Sequence, residues 1–192
     1  MGQAGLGTEV YMTPQPNSGK TGAQQFDEMY GYLTKSGIEI VTVWVQVTSP
    51  INWSTSIAAN VNFVESITAR AKQYGLRVGI YTNYYDWSQI TSGLIADGTM
   101  LWYWNVYGPG VAGESPPNFT DFHSFAGWVA PVVKQFAQVE SVCGVTVNRD
   151  VFETSSLMQP VGMEEFAKTK QIVVGVLGLR NTTSTNTAQV KL

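Results

Sequence analysis

The chain has 192 residues, which suggests one domain with enough length for a sizeable core, and it carries a formal net charge of −3. Charged residues make up only 13% of the chain and aromatic residues 12%, so its polar surface comes largely from Ser, Thr, Asn and Gln. The acidic balance and the scattered basic residues exclude an electrostatic nucleic-acid surface. A weakly charged chain rich in Trp and Tyr suits stacking on sugars better than gripping phosphates.

The chain has one cysteine, Cys143, so an internal disulfide is excluded. We expect Cys143 to be a small buried apolar residue, because the only histidine, His123, lies in a loop-like segment and nothing pairs the two. The lack of His/Cys clusters predicts no metal site and no cofactor. No signal peptide is visible and no apolar run approaches the length of a membrane span, so we predict no membrane contact and expect a monomer.

The predicted elements alternate between strands and helices, which favours parallel βα units. A short strand over Thr8–Met12 precedes an amphipathic helix over Ala23–Ser36. A second helix is predicted over Ala58–Tyr74, and a helical segment over Asp86–Ile95. Four further strands are predicted after the second helix: Leu76–Asn83, Leu101–Tyr107, Val132–Val139 and Val142–Asn148.

The strand predicted over Ile38–Thr48 is the most informative segment. From Val41 onward it alternates strictly, with valines on one face and Thr42, Trp44, Gln46 and Thr48 on the other. The valine face is expected to pack on helices. The polar end of the other face lies where α/β sheets and barrels place their chemistry.

Two segments differ from this pattern. The loop Gly108–Gly127 is long, which favours a functional or flexible cover. Residues 156–192 are predicted to form a C-terminal extension, partly disordered, with a helix over Met163–Lys170. The apolar run Gln171–Leu179 within it is either an edge strand or an adventitious tail.

Several segments, taken in chain order, resemble the glycoside hydrolase family 25 lysozymes, and most closely their nematode branch. The most specific is Val78-Gly79-Ile80-Tyr81-Thr82-Asn83 followed by Asp86-Trp87. The other matching segments are Ala4–Pro14, Val43–Pro50, Trp53, Asn60–Phe63, Leu101–Tyr103, Gly127–Trp128, Lys134–Phe136 and Cys143–Asn148. The resemblance covers residues 1–155 and implies one lysozyme-like α/β domain, an irregular TIM-like (β/α) barrel whose first two strands are missing from this chain.

The resemblance also implies a function. Members of the family cut the β-1,4 bond after N-acetylmuramic acid in peptidoglycan, in antibacterial defence and innate immunity, and they are extracellular or lysosomal. The expected partner is therefore bacterial cell-wall peptidoglycan or a related glycan.

The family's acid positions carry uncharged residues in this sequence. Its Asp-x-Glu pair on the fourth strand corresponds to Gln46 and Thr48, and its last-strand Asp corresponds to Asn148. Glycoside hydrolysis requires a proton donor, which none of these three side chains supplies at neutral pH. The resemblance therefore implies a lysozyme-family protein with impaired hydrolysis, at most a binder of wall glycan.

Two alternatives stay open. In one, the chain is an active muramidase with relocated acids, most plausibly Asp150, which shares a strand face with Asn148, and Asp86; a solvated charge, or for Asp86 a helix cap, is the competing interpretation. In the other, it is a non-functional truncated product with exposed strand edges.

Aromatic and amide residues near the strand ends are the candidates for sugar binding. Plain core packing is the competing interpretation for the aromatic ones. The candidate substrate-binding residues are Tyr81, Asn83, Trp102, Trp104, Asn105 and Gln135.

Overall fold

A curved six-stranded sheet forms the centre of the molecule in the computed structural model, which describes residues 8–152 and 172–175. The strands are β1 (Tyr11–Met12), β2 (Ile38–Ile40), β3 (Thr42–Gln46), β4 (Arg77–Thr82), β5 (Met100–Trp104), β6 (Val133–Val142), β7 (Val145–Phe152) and β8 (Ile172–Val174). The main sheet has the order β1-β3-β4-β5-β6-β7, and β2 pairs with β8 in a separate two-stranded sheet. Neighbours from β1 to β6 run parallel, as the alternating elements predict.

Three α-helices pack on this sheet: α1 (Gly22–Lys35), α2 (Ile57–Gln73) and α3 (Tyr84–Thr91). Thr21 begins α1 with a capping box, because its side chain accepts from the Gln24 backbone N–H while the Gln24 side chain accepts from the Thr21 backbone N–H. The stacked rings of Tyr30 and Tyr74, 4.2 Å apart, join α1 to the end of α2. The predicted helices at Ala23–Ser36 and Ala58–Tyr74 are thus confirmed to within a residue.

The valine face of β3 is buried, as predicted. Val43, Val45 and Val47 are fully enclosed and belong to the same core as Phe26 of α1 and Val64 of α2. The opposite face of β3 is covered as well, because Trp44 is also buried. The Trp44 ring lies flat against Gly79 of β4, where an added Cβ would fall 2.1 Å from a ring carbon. Glycine at this position therefore makes room for the indole.

Two strand predictions are wrong in detail. The predicted strand Ile38–Thr48 is broken at Val41, so its first part, β2, leaves the main sheet and only Thr42–Gln46 continues in it. β7, the last strand of the main sheet, runs antiparallel to β6 rather than as another parallel unit. A two-residue turn at Cys143-Gly144, with φ values of 51° and 79°, closes this hairpin. Because Cys143 sits at the turn, it is exposed, and the expectation that it is buried is wrong.

The start of α3 also differs from expectation. Asn83, rather than Asp86, caps the helix, because the Asn83 side-chain oxygen accepts from the Asp86 backbone N–H at 2.8 Å. The helix consequently spans Tyr84–Thr91 instead of starting at Trp87.

Part of the predicted C-terminal extension is ordered against the rest of the fold. Ile172–Val174 forms β8 beside β2, and the Gly175 backbone N–H donates to the Thr8 carbonyl at 2.7 Å. The apolar run thus contributes an edge strand, one of the two predicted alternatives. The predicted helix Met163–Lys170 lies outside the described residues. Across residues 8–152 and 172–175, no helix has the length and apolar character that crossing a membrane requires.

Candidate functional site

Side chains that sequence analysis selected share one face of the main sheet, near the carboxyl ends of the parallel strands. Strand register places Gln46 beside Tyr81, and Tyr81 beside Trp102. It also places Trp104 beside Gln135, and Gln135 beside Asp150. Because side chains alternate between faces, all six point away from the valine face. This edge is where parallel α/β sheets commonly bind ligands.

A small network of uncharged groups lies at the ends of β1 and β3. The Thr13 hydroxyl donates to Gln46 Oε1 at 2.8 Å, and Gln46 Nε2 donates to the Thr48 hydroxyl at 2.9 Å. The Trp53 indole N–H donates to the Thr48 carbonyl at 3.0 Å, which fixes the following loop. Gln46 and Thr48, which the resemblance assigns to the family's acid pair, are therefore hydrogen-bonded to each other, and Gln46 also accepts from the neutral Thr13 hydroxyl.

This network borders a cleft of about 270 Å³. Its walls are formed by Thr13, Pro14, Gln15, Pro16, Asn17, Gln46, Thr48, Ser49, Asn52 and Trp53. None of these ten side chains ionises as an acid or a base near neutral pH. The cleft is therefore suited to binding neutral polar groups through hydroxyls and amides.

Tyr81 connects the cleft to the rest of the site. Its hydroxyl donates to Gln135 Oε1 at 2.9 Å, and its ring lies 4.9 Å from that of Trp102. The Trp102 ring in turn meets Trp44 edge to face at 5.6 Å. Tyr81, Trp102 and Trp104 are each only partly buried, so these rings are both packed and open to a ligand.

Asp150 and Asp86 both lie close enough to Tyr81 to act on it electrostatically. Burial is the main cause that raises the Tyr81 pKa, and the charges of Asp150 and Asp86 raise it further. The two carboxyls considered above as relocated acids therefore both act on the same tyrosine.

The two carboxyls differ in their surroundings. Asp150 accepts a hydrogen bond from the Trp102 indole N–H at 2.9 Å, and crowding by the surrounding protein raises its pKa to about 6 even though the residue stays open to solvent. Asp86 is buried, with 5% of its surface exposed, and its desolvation raises its pKa. The nearby Ser49 backbone and Trp104 indole oppose that increase.

Two buried polar atoms, one on Asp86 and one on the neighbouring Trp104, have no hydrogen-bond partner. They are Asp86 Oδ2 and Trp104 Nε1. The indole N–H is near enough to favour the ionised carboxylate, yet no hydrogen bond of standard geometry joins the two groups. Buried polar groups normally find partners, so this unsatisfied acceptor and donor are an exception within the described residues.

The remaining amide candidates are engaged in structural roles. Asn83 caps α3, and Asn105 Nδ2 donates to the Asp121 carboxylate. Asn148 Oδ1 accepts from the Val139 backbone N–H at 3.1 Å. Val139 has a φ of 55°, which is unusual for a β-branched residue and lies at an irregular register of β6. Asn148 therefore supports the hairpin bulge rather than joining Asp150 at Tyr81.

Sequence analysis missed two groups of residues, one at the site and one on the opposite face of the sheet. Thr13 and Asn17 follow β1 in a loop, and their position after a strand end was the available signal. Lys134 gave no signal, because an isolated lysine in a strand is normally exposed. It is instead fully buried, and its ammonium donates to the Pro116 carbonyl and to Asp121 at 2.8 Å. This contact ties the long loop Gly108–Gly127 to β6.

Within the described part of the chain, no group of three or more His, Cys, Asp or Glu side chains is arranged to hold a metal ion.

Comparisons with known proteins place this geometry in a family. The family model described as lysozyme-like protein 1 matches residues 2–136. The chain is 56% identical over 161 residues to Lysozyme-like protein 7 of Caenorhabditis elegans, covering 83% of this chain and 57% of that protein. It is 60% identical over 151 residues to Lysozyme-like protein 1 of the same organism, covering 78% and 51%. The chain thus spans little more than half the length of these relatives.

More distant relatives agree. The chain is 34% identical over 138 residues to Probable GH family 25 lysozyme 2 of Dictyostelium discoideum, covering 71% of this chain and 61% of that protein. Among solved structures, a bacterial lysozyme from Streptomyces coelicolor aligns with a TM-score of 0.60 at 19% identity, over 80% of this chain and 70% of the other. A muramidase from Trichobolus zukalii aligns with a TM-score of 0.56 at 22% identity, over 79% and 70%. These two structures support the fold, and together with the sequence matches they show that the chain belongs to the lysozyme-like family of glycoside hydrolase family 25 type.

Proposed function

We propose that the chain binds the β-1,4-linked glycan of bacterial peptidoglycan in antibacterial defence, and that it hydrolyses this glycan weakly or not at all. The observation that carries the proposal is the hydrogen bond between Gln46 and Thr48, the two uncharged residues at the family's acid-pair position. Family membership supports a peptidoglycan-related role.

The chemical reason for impaired hydrolysis is the lack of a proton donor at these positions. Cleavage of a glycosidic bond needs an acid to protonate the leaving oxygen, and a second carboxylate to stabilise the positive charge or to activate water. An amide and an alcohol supply neither, and removing one general acid or base typically costs about 10²–10⁴-fold in rate.

Binding has better support than cleavage. The partly open rings of Tyr81, Trp102 and Trp104 lie beside a cleft whose hydroxyls and amides face solvent. Sugars combine an apolar ring face with polar edges, so such a surface meets both requirements.

The test compares sedimentation with clearing. Purified protein should pellet with bacterial cell walls, while the turbidity of the wall suspension should stay constant. Clearing of the suspension by the native protein, lost on boiling, would contradict impaired hydrolysis. Failure to pellet would contradict binding.

A second candidate function is hydrolysis by relocated acids. It is favoured by the placement of Asp150 and Asp86 around Tyr81, and by the pKa of about 6 at Asp150, which suits a proton donor. Under this candidate, Asp150 would donate the proton, and Asp86 would be the second carboxylate.

The two candidates are separated by substitution at these carboxyls. If the native protein clears walls, Asp150→Asn and Asp86→Asn should each lower the rate at least 10²-fold. Asp97→Asn changes an exposed aspartate outside the site and should leave the rate unchanged. Clearing that survives Asp150→Asn would remove Asp150 from the mechanism.

We also propose that the curved sheet is arranged as an irregular TIM-like barrel, and that the protein is an extracellular or lysosomal monomer. The parallel strands β1 to β6 and the two structural alignments support the barrel arrangement. Light scattering tests the monomer. A cooperative thermal transition of the isolated chain would contradict the alternative of a truncated product that cannot fold stably.

A further inference from the structure

The cleft beside Gln46 has an unusual electrostatic character for a site that faces bacterial cell wall. All ten of its lining side chains are uncharged. The nearest lysine along the chain, Lys20, is held by Glu28 of α1 at 2.7 Å. The adjoining Tyr81 has three ionisable neighbours, the carboxyls Asp150 and Asp86 and the phenol Tyr11.

Peptidoglycan is not uniform in charge. Its N-acetylmuramic acid units carry a lactyl carboxyl group that is either free or linked to acidic peptides, whereas its N-acetylglucosamine units are neutral. A carboxylate entering this cleft would meet no cation among its lining residues and would approach two carboxyls, so both its desolvation and its charge repulsion would oppose binding.

We propose that this cleft selects neutral N-acetylglucosamine-type sugars and discriminates against sugars with a free carboxylate. The inference rests on the proposed function, since it assumes that the cleft binds an N-acetylhexosamine chain. It goes further by naming the chemical class that the site accepts.

The arrangement of amides supports recognition of an acetamido group. Gln46 Nε2 uses one hydrogen on Thr48 and keeps a second to donate. Asn17 Nδ2 donates to the Asn52 carbonyl at 2.9 Å, which orients the Asn17 side chain and leaves its oxygen as an acceptor. An acetamido group offers one carbonyl and one N–H, so it matches a donor and an acceptor of this kind.

The test measures equilibrium binding to sugars of equal length. There are three probes. The first is N,N′-diacetylchitobiose, the disaccharide of two N-acetylglucosamine units. The second is the disaccharide of N-acetylglucosamine and N-acetylmuramic acid with its lactyl carboxylate free, and the third is that same disaccharide with the carboxyl converted to an amide. We expect the free carboxylate to bind at least tenfold more weakly than the other two. The amide separates charge from size, because it keeps the lactyl group and removes only the charge.

A charge substitution sharpens the result. Asn17 is exposed, so Asn17→Lys should fold and should raise affinity for the free carboxylate about tenfold, with the gain lost at high salt. Asn17→Gln, the matched control, adds length without charge and should produce no such gain.

The outcomes distinguish this inference from the proposed function. If the free carboxylate binds as tightly as its amide, or more tightly, charge selection is wrong while glycan binding stands. If none of the three sugars and no wall preparation binds, the proposed function fails and this inference fails with it. Cellobiose, in which neutral hydroxyls replace the acetamido groups, would overturn the acetamido contact if it bound as tightly as the N-acetylglucosamine disaccharide.

Discussion

The face of the sheet opposite the valine side divides into two halves with opposite chemistry. The neutral half, at the ends of β1 and β3, consists of Thr13, Gln46 and Thr48, which satisfy one another through hydrogen bonds. The acidic half, on β4 to β7 and the start of α3, contains Tyr81, Trp102, Trp104, Asp86 and Asp150. Its carboxyls have raised pKa values, and two of its buried polar atoms lack partners.

The two halves differ in whether their polar groups are satisfied and their carboxyls perturbed. Unpaired polar atoms and perturbed carboxyls cost stability, and such costs cluster at functional sites. The neutral half carries no such cost, although the family resemblance assigns the acid pair to it. Under the proposed function, the neutral half holds the ligand, and the acidic half contains the carboxyls with perturbed pKa values.

The largest effect should come from making the neutral half acidic. The double substitution Gln46→Asp with Thr48→Glu restores the family's acid pair and should raise the wall-clearing rate at least 10²-fold over the native chain. The same change should lower stability, because it places two like charges within a network that is now neutral. Turbidity of a wall suspension and the melting temperature measure the two results.

The control for this experiment is Gln46→Asn with Thr48→Ser, which changes size but adds no charge. It should leave the clearing rate at the native level. A double acidic variant that folds and binds walls but clears no faster would show that loss of the acid pair alone does not account for the proposed impairment.

A buried ion pair lies on the opposite face of the sheet from the acidic half. Lys134→Met removes the ammonium that holds Asp121 and the Pro116 carbonyl, and leaves that carboxylate beside the apolar replacement. We expect a loss of about 2–4 kcal/mol in the free energy of unfolding, somewhat below the usual cost of breaking a buried pair because Asp121 is 20% exposed. Denaturant unfolding measures it.

Lys20→Met is the matched control, because Lys20 and Glu28 form an exposed pair on the outer surface. It should cost less than about 1 kcal/mol. Equal losses for the two lysines would mean that the loop Gly108–Gly127 is held by contacts other than the ammonium of Lys134.

The start of β3 is in close contact with Gly175, the residue after β8. Gly175 adopts a φ of +81°, and a Cβ there would lie 2.5 Å from the Thr42 carbonyl oxygen. Gly175→Ala should therefore destabilise the fold by about 1–3 kcal/mol. Gly31→Ala is the control, since that glycine lies in α1 with open space around it, and alanine there should stabilise slightly. Thermal unfolding of the two variants compares them, and no loss at Gly175 would mean that β8 does not support β1 and β3.

Much of this arrangement follows from local sequence patterns. Alternation predicted the buried valine face of β3, and helical spacing predicted α1 and α2, because each pattern reports which side of a single element is apolar. Family resemblance located Gln46 and Thr48, and the structure shows that their side chains meet. These are features that one segment specifies largely by itself.

The remaining features depend on contacts between distant segments. The pairing of Ile172 with Ile38 and the burial of Lys134 against Asp121 involve partners that no local pattern identifies. The direction of β7 was missed although its signal is local, because the Cys143-Gly144 turn is short and was not recognised as a hairpin turn. The hairpin is also what brings Asp150 to Trp102.

The smallest predicted effect tests whether the acidic half is strained by its carboxyls. The fold raises the pKa of Asp150 from 3.8 to about 6, so the folded state favours the protonated form. This contribution to stability is fully present below pH 3.8 and is lost as the pH rises through 6. Asp150→Asn cannot ionise but keeps an oxygen for the Trp102 indole N–H, so it should match the native melting temperature at pH 3.5 and exceed it by a few degrees at pH 7. The exposed control Asp97→Asn removes a carboxyl outside the site and shows how the loss of a surface charge alone changes the melting temperature at the two pH values. If Asp150→Asn behaves like this control, then the carboxyl is not strained, and the contrast between the halves reduces to charge alone.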